Sequence, residues 1–456
     1  MTALQSYPAY QDSGLNWLGE VPEHWELRRG KTVLRCIDER SKTGSEELLT
    51  VSSDRGIVPR DSASVTMFKA QSYVGHKLCW PGDLVINSLW AWSRGLGVSR
   101  YHGIVSTAYG VYRVRRKARA LPDFIHSLVR SEAFNWELRV RSKGIWISRL
   151  QLTDDSFLRA PLPLPPLSEQ RAIVRFLDDA DRRIRRYIRA KERLIELLEE
   201  ERRATIHEAV TGRIDARTGQ PYPAYRDSGV EWLGDVPEHW EVRRLKTLCD
   251  MRSGDTITAM SINEVGEYRV FGGNGIRGYS SRYTHDGDYV LIGRQGALCG
   301  NVHIVRGRFW ASEHAVVATL HCGHVLNWFG AALETMNLNQ YSIAAAQPGL
   351  SVDRVLHLWV PVPPAHEQRG IARFLAAAGR RLSARRGTLA RQIDLLREYR
   401  TRLIADVVTG KLDVREAAAK LPETHPLAGD RERPGTIPTE PNPHASDYDM
   451  AKEASA

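Results

Sequence analysis

The chain has 456 residues, 42% hydrophobic, 26% charged and 8% aromatic, which suits two or three cored domains and excludes a disordered or fibrous chain. No apolar run approaches the roughly eighteen residues of a membrane helix, and MTALQSYPAYQD is no basic-then-apolar leader, so neither a membrane nor a secreted protein is expected. Five cysteines, never spaced CxxC, fit a reducing cytoplasm without a disulfide frame, and the net charge of +10 points to a polyanionic partner.

The first element in chain order is YPAYQDSGLNWLGEVPEHWELRRGK at residues 7–31. Residues 32–160 follow. The Pro-rich PLPLPP at 161–166 cannot be helical and closes that region as an extended segment. Ser168-Glu169-Gln170 then reads as a helix start, with an N-cap hydroxyl and acidic and amide residues in the first turn. Beyond it Ile173, Leu177, Ala180, Ile184, Tyr187, Leu194 and Leu198 fall in a/d register, interrupted by Lys191, and Thr211-Gly212 supplies a stop signal.

Residues 222–246, YPAYRDSGVEWLGDVPEHWEVRRLK, repeat the opening element at an offset of 215. The next region, about 247–358, bears no likeness to 32–160. PVPPAHEQRGIARFLAAA (361–378) then repeats PLPPLSEQRAIVRFLDDA (163–180), and IADVVTGKLD (404–413) repeats IHEAVTGRID (206–215), both at an offset of 198. In the second helix Ile371, Leu375, Ala378, Leu382, Leu389 and Leu396 fall in the same register, interrupted by Arg385 and Gln392, up to Thr409-Gly410. Past residue 413 the composition turns to Pro, Glu, Asp, Ala and Ser, as in a disordered tail.

Three ordered matches mean two copies of one unit enclosing different contents. Each helix, about 40 residues or roughly 60 Å long, carries a single apolar stripe that needs a partner in water. The expected partner is the other helix, antiparallel; the alternative packs each helix on its own domain. The expected fold is α+β: globular domains at 1–165 and 216–363, separated by coiled-coil helices at 166–215 and 364–413, with a tail at 414–456. The layout is pseudo-twofold and quasi-circular, with adjacent chain ends.

Charge is uneven. Residues 1–165 carry 23 basic and 16 acidic side chains, whereas 222–363 carry 12 and 14, so contacts of the second variable region with a polyanion must be local. No GxxxxGK[ST] loop, HExxH helix, GxSxG elbow, Rossmann GxGxxG or adenine-methyltransferase Asn/Asp-Pro-Pro-aromatic signature occurs, and the chain reads as non-catalytic. FGGNGIRG (271–278) and GRQGALCG (293–300) read as tight turns between short strands, and His321-Cys322-Gly323-His324 as a turn, not a metal site.

The doubled YPAY…DSG…WLG…VPEHWE segment, the doubled EQR helix start and the VTG(R/K)(I/L)D helix end resemble the specificity subunit of Type I restriction-modification systems, over nearly all of residues 7–413. The resemblance implies two target-recognition domains, each reading half of an asymmetric bipartite site on double-stranded DNA, and helices whose length sets the gap. It implies two modification subunits that bind S-adenosylmethionine and methylate adenine, and restriction subunits that use ATP and Mg²⁺ to translocate and cleave. No cofactor or metal is expected on this chain. The competing readings are an autonomous nuclease or methyltransferase and a structural adaptor.

Base readout needs Arg, Lys, Asn, Gln or Ser on loops that reach groove edges. The DNA-binding candidates in the first domain are Lys69, Gln71, Ser72, Trp92, Ser93 and Arg94, the last three in a cluster with Trp90. Those in the second are Asn274, Arg277, Arg282, Arg294 and Gln295. Against them stand plain readings: surface turns, arginines bonded to backbone, tryptophans in the core. Trp17, Trp25, Trp232, Trp240, His24 and His239 recur in both frames around different contents and are expected to be scaffold. Glu169-Gln170-Arg171 and Glu367-Gln368-Arg369 are expected to anchor helix to domain, the alternative being contact with a partner subunit.

Overall fold

The structure, a computed structural model, describes residues 4–62, 72–144, 150–296, 299–342 and 349–422. The chain divides into two compact units: residues 1–187 with 394–456, and residues 188–393. Both boundaries fall inside long helices, so each helix contributes one end to each unit.

The first long helix, Leu167–Thr211, has 45 residues and the second, Ala365–Val408, has 44. The first begins before Ser168, whose hydroxyl is therefore not the cap; the Pro166 carbonyl accepts the amides of Glu169 and Gln170, and the rigid proline pair sets the boundary. Both helices end as the Thr-Gly pairs predict. Gly212 and Gly410 take φ of 77° and 81°, the left-handed stop that glycine adopts without a Cβ clash.

Within each unit the helices run antiparallel. In the first, Leu177 and Ala180 share a core with Leu403 and Val407, and Asp181 pairs with Arg400. In the second, Lys191 Nζ donates to Gln392 Oε1 at 2.6 Å, Arg386 pairs with Glu199 at 2.9 Å, and Ile206 and Val210 share a core with Ile371. Two of the three polar interruptions of the heptads, Lys191 and Gln392, thus face each other. The register departs from the expected one in the middle of the first helix: Tyr187 and Leu194 are exposed, whereas Ile184 is buried and Ile188 and Ile195 half-buried. Two consecutive steps of four, 180 to 184 to 188, replace the alternation of three and four. An α-helix has 3.6 residues per turn, and such a stutter restores the stripe that a strict seven-residue repeat would let drift.

In the first unit a four-stranded antiparallel sheet runs in the order Leu34–Cys36, Tyr109–Val114, Leu84–Asn87, Leu96–Val98. Helices Pro122–Val129 and Glu132–Arg141 bury Phe124, Leu128 and Phe134 in its core. The Pro-rich segment is extended, as expected: Pro161–Leu164 pairs with Glu26–Arg29 in a two-stranded ladder, where a missing N–H is tolerated.

The second unit holds six strands in the order Cys249–Ser253, Ala315–Leu320, His285–Gly293, Val302–Ala311, Tyr268–Gly272, Gly275–Ser280. Only the Tyr268–Gly272 and Val302–Ala311 pair is parallel among these neighbours. Trp328 and Phe329 of helix Leu326–Thr335 pack in its core. The Gly-rich stretches are turns, but the strands flanking the second, of 9 and 10 residues, are long.

The expected tail starts too early at 414. Val414 and Ala418, one helical turn apart, bury themselves in the first unit, the short helix Arg415–Ala419 forms, and the Arg415 guanidinium lies 5.1 Å over the Tyr7 ring. Among the described residues, no helix is long and apolar enough to cross a membrane.

Candidate nucleic-acid interface

One joint is built twice, from the repeated residues. In the first unit the buried Glu169 carboxylate accepts from Tyr7 OH at 2.6 Å and Trp25 Nε1 at 2.8 Å, with His24 Nε2 at 2.8 Å. In the second, Glu367 accepts from Tyr222 OH at 2.9 Å and Trp240 Nε1 at 2.8 Å, with His239 Nε2 at 2.8 Å. Burial alone would raise the Glu367 carboxyl, but the bonds from Trp240, His239 and Tyr222 outweigh it and hold it below its usual range. Burial first, then the neighbouring carboxylate, pushes the Tyr7 and Tyr222 phenols up.

The helix ends close each joint. Tyr10 OH donates to the Gly410 carbonyl at 3.2 Å and Tyr225 OH to that of Gly212 at 3.1 Å. A Cβ on Gly410 would lie 2.3 Å from Pro22, and one on Gly212 2.4 Å from Pro237. The amide of Asp413 donates to the Gln5 carbonyl at 2.8 Å and that of Asp215 to Gln220 at 2.7 Å. Glutamines complete the arrangement. Gln170 accepts from Leu121 N at 2.8 Å and donates to the Pro165 carbonyl, and Gln368 does the same with Val325 N at 2.9 Å and Pro363. Trp25 and Trp240, the two histidines and the Glu-Gln pairs therefore anchor helix to domain.

What the joints carry differs. In the first unit, residues 87–96 form a tight knuckle. Trp90 N donates to the Asn87 carbonyl at 3.0 Å, Gly95 N to Trp90 at 2.9 Å and Asn87 N to Gly95 at 2.9 Å. Gly95 is required, since a Cβ there would lie 2.8 Å from the Trp90 oxygen. Arg94 is held at φ 61°, a strained conformation for a side-chain-bearing residue, and is exposed, as are Leu89 and Trp90. Trp92 is half-buried, its Nε1 donating to the Leu89 carbonyl at 3.0 Å, and Ser93 sits beside it.

Arg130, which sequence reasoning missed, clamps this knuckle from behind. Its guanidinium donates to the carbonyls of Leu96 at 2.5 Å, Ser53 at 2.8 Å and Asp54 at 2.7 Å, and reaches that of Arg94 at 3.5 Å. Burial and the nearby Arg94 bring it down to about 10. His126 accepts from Val98 N at 3.1 Å and is pushed down to about 4, by burial first and then by Arg130 and Arg100. Ser72 sits elsewhere, its Oγ accepting from Val74 N, and among the described residues no hydrogen bond joins it to the knuckle. Lys69 and Gln71 lie outside the described residues.

In the second unit three turns meet at one end of the sheet. Strands His285–Gly293 and Ala315–Leu320 are neighbours, with Gly293 opposite Ala315, so the turns after one and before the other coincide. Arg294 N donates to the His314 carbonyl at 2.9 Å, and Gln295 Oε1 lies 3.0 Å from His314 Nδ1. The Gly273-Asn274 turn closes on both: a Cβ on Gly273 would lie 3.1 Å from the Gln295 oxygen and 3.3 Å from that of His314. Asn301 Nδ2 donates to Asn274 Oδ1 at 2.8 Å.

Asn274, Arg294 and Gln295 are thus brought together, joined by His314 and Asn301, which only the strand order could reveal. Arg277 is exposed with its stem over Gly272, next to the cluster. Arg282 is not part of it; it follows the far end of the Gly275–Ser280 strand, roughly 20 Å away at strand rise. His321 turns to Asp250 at 3.2 Å and His324 to Gln368 at 3.1 Å. Among the described residues no three His, Cys, Asp or Glu side chains are grouped as metal ligands would be.

Residues 237–390 match the family described as the Type I restriction modification DNA specificity domain. The Type I restriction enzyme EcoprrI specificity subunit of Escherichia coli is 44% identical over 158 residues, which is 34% of this chain and only 39% of that protein. The Type I restriction enzyme MjaVIII specificity subunit of Methanocaldococcus jannaschii is 22% identical over 347 residues, 69% of this chain and 75% of that protein. A solved structure described as the "Structural basis underlying complex assembly and conformational transition of the type I R-M system" contains a chain of the same fold. Its TM-score is 0.64 at 19% identity, covering 86% of this chain and 99% of that one. Residues 237–390 therefore carry a Type I restriction modification DNA specificity domain, and the chain shares the fold of that solved chain.

Proposed function

We propose that the chain is the non-catalytic DNA-sequence specificity subunit of a Type I restriction-modification complex. The variable domains at 1–165 and 216–363 act as target-recognition domains, each reading half of an asymmetric bipartite duplex target. The helices, at 166–215 and 364–413, are the spacers that set the unread gap. The chain directs adenine methylation and restriction by two modification subunits and by restriction subunits in the cytoplasm. S-adenosylmethionine, ATP and Mg²⁺ belong to those partners.

The observation that carries this reading is the identical mount around Glu169 and Glu367, which holds unlike heads. One head offers Arg94, with Ser93 and Trp92, on a rigid knuckle; the other offers Asn274, Arg294 and Gln295 on converging turns. Arginine fits the guanine edge bidentately, and asparagine and glutamine fit adenine. An identical mount gives two copies of one partner equivalent docking surfaces, while unlike heads select unlike half-sites. The test is a mobility shift. The isolated chain is expected to bind duplex weakly or without sequence preference and to become sequence-specific when the modification subunit is added, at a motif that long-read mapping finds methylated in the host genome. Specific binding and methylation by the chain alone would favour an autonomous enzyme.

A further inference from the structure

Opposite the knuckle, the first unit carries a dense group of cations. Residues 113–120, RVRRKARA, hold five basic side chains and no carboxylate. Arg28 Nη1 donates to the Ala118 carbonyl at 2.9 Å and Arg115 Nε to that of Lys31 at 3.0 Å, so Arg28, Lys31, Arg115, Arg116, Lys117 and Arg119 share one patch. All but the half-buried Arg28 are exposed, and none of the six makes an ion pair with a described residue.

The second unit shows what the joint itself requires. Gln368 holds Val325 as Gln170 holds Leu121, which makes Gly323 the counterpart of Arg119. Both take positive φ, 93° and 51°. Glycine adopts that conformation freely and arginine does so under strain. The counterparts of Arg115, Arg116 and Lys117 are Thr319, Leu320 and His321. The mount works without these cations, and an arginine is kept at a backbone position that its sister fills with glycine.

We infer that this patch is a phosphate anchor for duplex DNA, complete in the first unit and reduced in the second to Arg243 and Lys246, the counterparts of Arg28 and Lys31, which supplies sequence-independent affinity while the loops supply sequence. The inference rests on the reading of the chain as a DNA-specificity subunit. A partner held equivalently by both mounts would find the complete patch on only one of them. The acidic segment 423–456 is a poorer occupant: its seven acidic and three basic side chains over 34 residues amount to one net charge per roughly 30 Å when extended, against about 1.7 Å in duplex DNA. Strand Tyr109–Val114 separates the patch from the knuckle, with Leu34 opposite Val114 at one end and Asn87 opposite Tyr109 at the other. That distance, roughly 20 Å, is about six base-pair steps.

The test is the salt dependence of duplex binding by the full chain assembled with its modification subunit. Each phosphate contact contributes about 0.9 to the slope of log K against log salt. The triple variant R115Q/R116Q/K117Q is expected to lower the slope by about 2 to 3. Arg119→Gly, which installs the sister residue, is expected to lower it by about 1 with an undiminished melting temperature. Both should weaken specific and random duplexes by the same factor. An unchanged slope in a complex that still prefers its target would overturn the anchor and leave the specificity reading standing. Loss confined to the target duplex would overturn it as well, making the patch a base reader. Carbodiimide coupling of Lys31 or Lys117 to carboxylates of 423–456 that persists with duplex bound would hand the patch to that segment. Failure of the unaltered complex to prefer any sequence would instead defeat the underlying reading.

Discussion

A carboxylate surrounded by three donors behaves differently from one in water, and Glu367 makes the difference measurable. Its folded value lies below the usual range, so the unfolded chain binds the proton first as pH falls. The stabilisation is present at neutral pH and is lost as pH drops through the lowered folded value. Glu367→Gln places an amide against the Trp240 and Tyr222 donors and is expected to cost about 2 kcal/mol at pH 7. The deficit should shrink in denaturant titrations taken at progressively lower pH, once the carboxyl of the unaltered chain takes up its proton. His126 has the same sign for a different reason: neutral in the fold down to about 4, it protonates in the unfolded chain near 6.5. The first unit is therefore expected to lose up to about 3 kcal/mol between those values. His126→Gln, which keeps an acceptor for Val98, should flatten that limb in unfolding curves taken across the window. The anchoring role of Glu169 was legible because the residue recurs with its partners. Arg130 was not, since a half-buried arginine bonded to carbonyls leaves no pattern in sequence.

Among elements, the long helices were the most legible, because two copies of the same start and stop signals bracket each one. The stutter was hidden. Tyr187 and Ile188 are adjacent and both apolar, so a strict heptad could take the wrong one; only packing decides that Ile188 turns inward. The facing pair Lys191 and Gln392 fixes the register of the second unit's helices at the expense of apolar contact. Replacing both with leucine is expected to stabilise that unit by about 1 kcal/mol, raising its melting temperature by roughly 2–4 °C in calorimetry. The reading cluster shows the opposite limit. Its glycine-rich turns were visible, but His314 joins Gln295 only because strands distant in sequence lie side by side. Similarly, VREAA after residue 413 looked like the start of an acidic tail, yet two small apolar residues one turn apart suffice to dock it.

For the whole molecule, the matched bonds of the two joints are closed by different connectivity. In the second unit Asp215 and Gln220 are joined by a five-bond turn of chain, whereas in the first Asp413 and Gln5 meet from opposite termini. Joining the ends and reopening the chain at Gly219, beyond the Asp215–Arg217 ion pair, exchanges those roles. Such a permutant is expected to fold and to keep its melting temperature within a few degrees; an unfolded product in circular dichroism would refute the equivalence of the joints.

The same connectivity orders events on the ribosome. Residues 188–393 are contiguous and can close as soon as they emerge, but the first unit needs Leu403, Val407 and Val414 for its core. At about 5–20 residues per second, the N-terminal domain waits on the order of 10–40 seconds for the segment that completes it. Its unfilled apolar face is then open to chaperones, and the half translated first is the last to be finished.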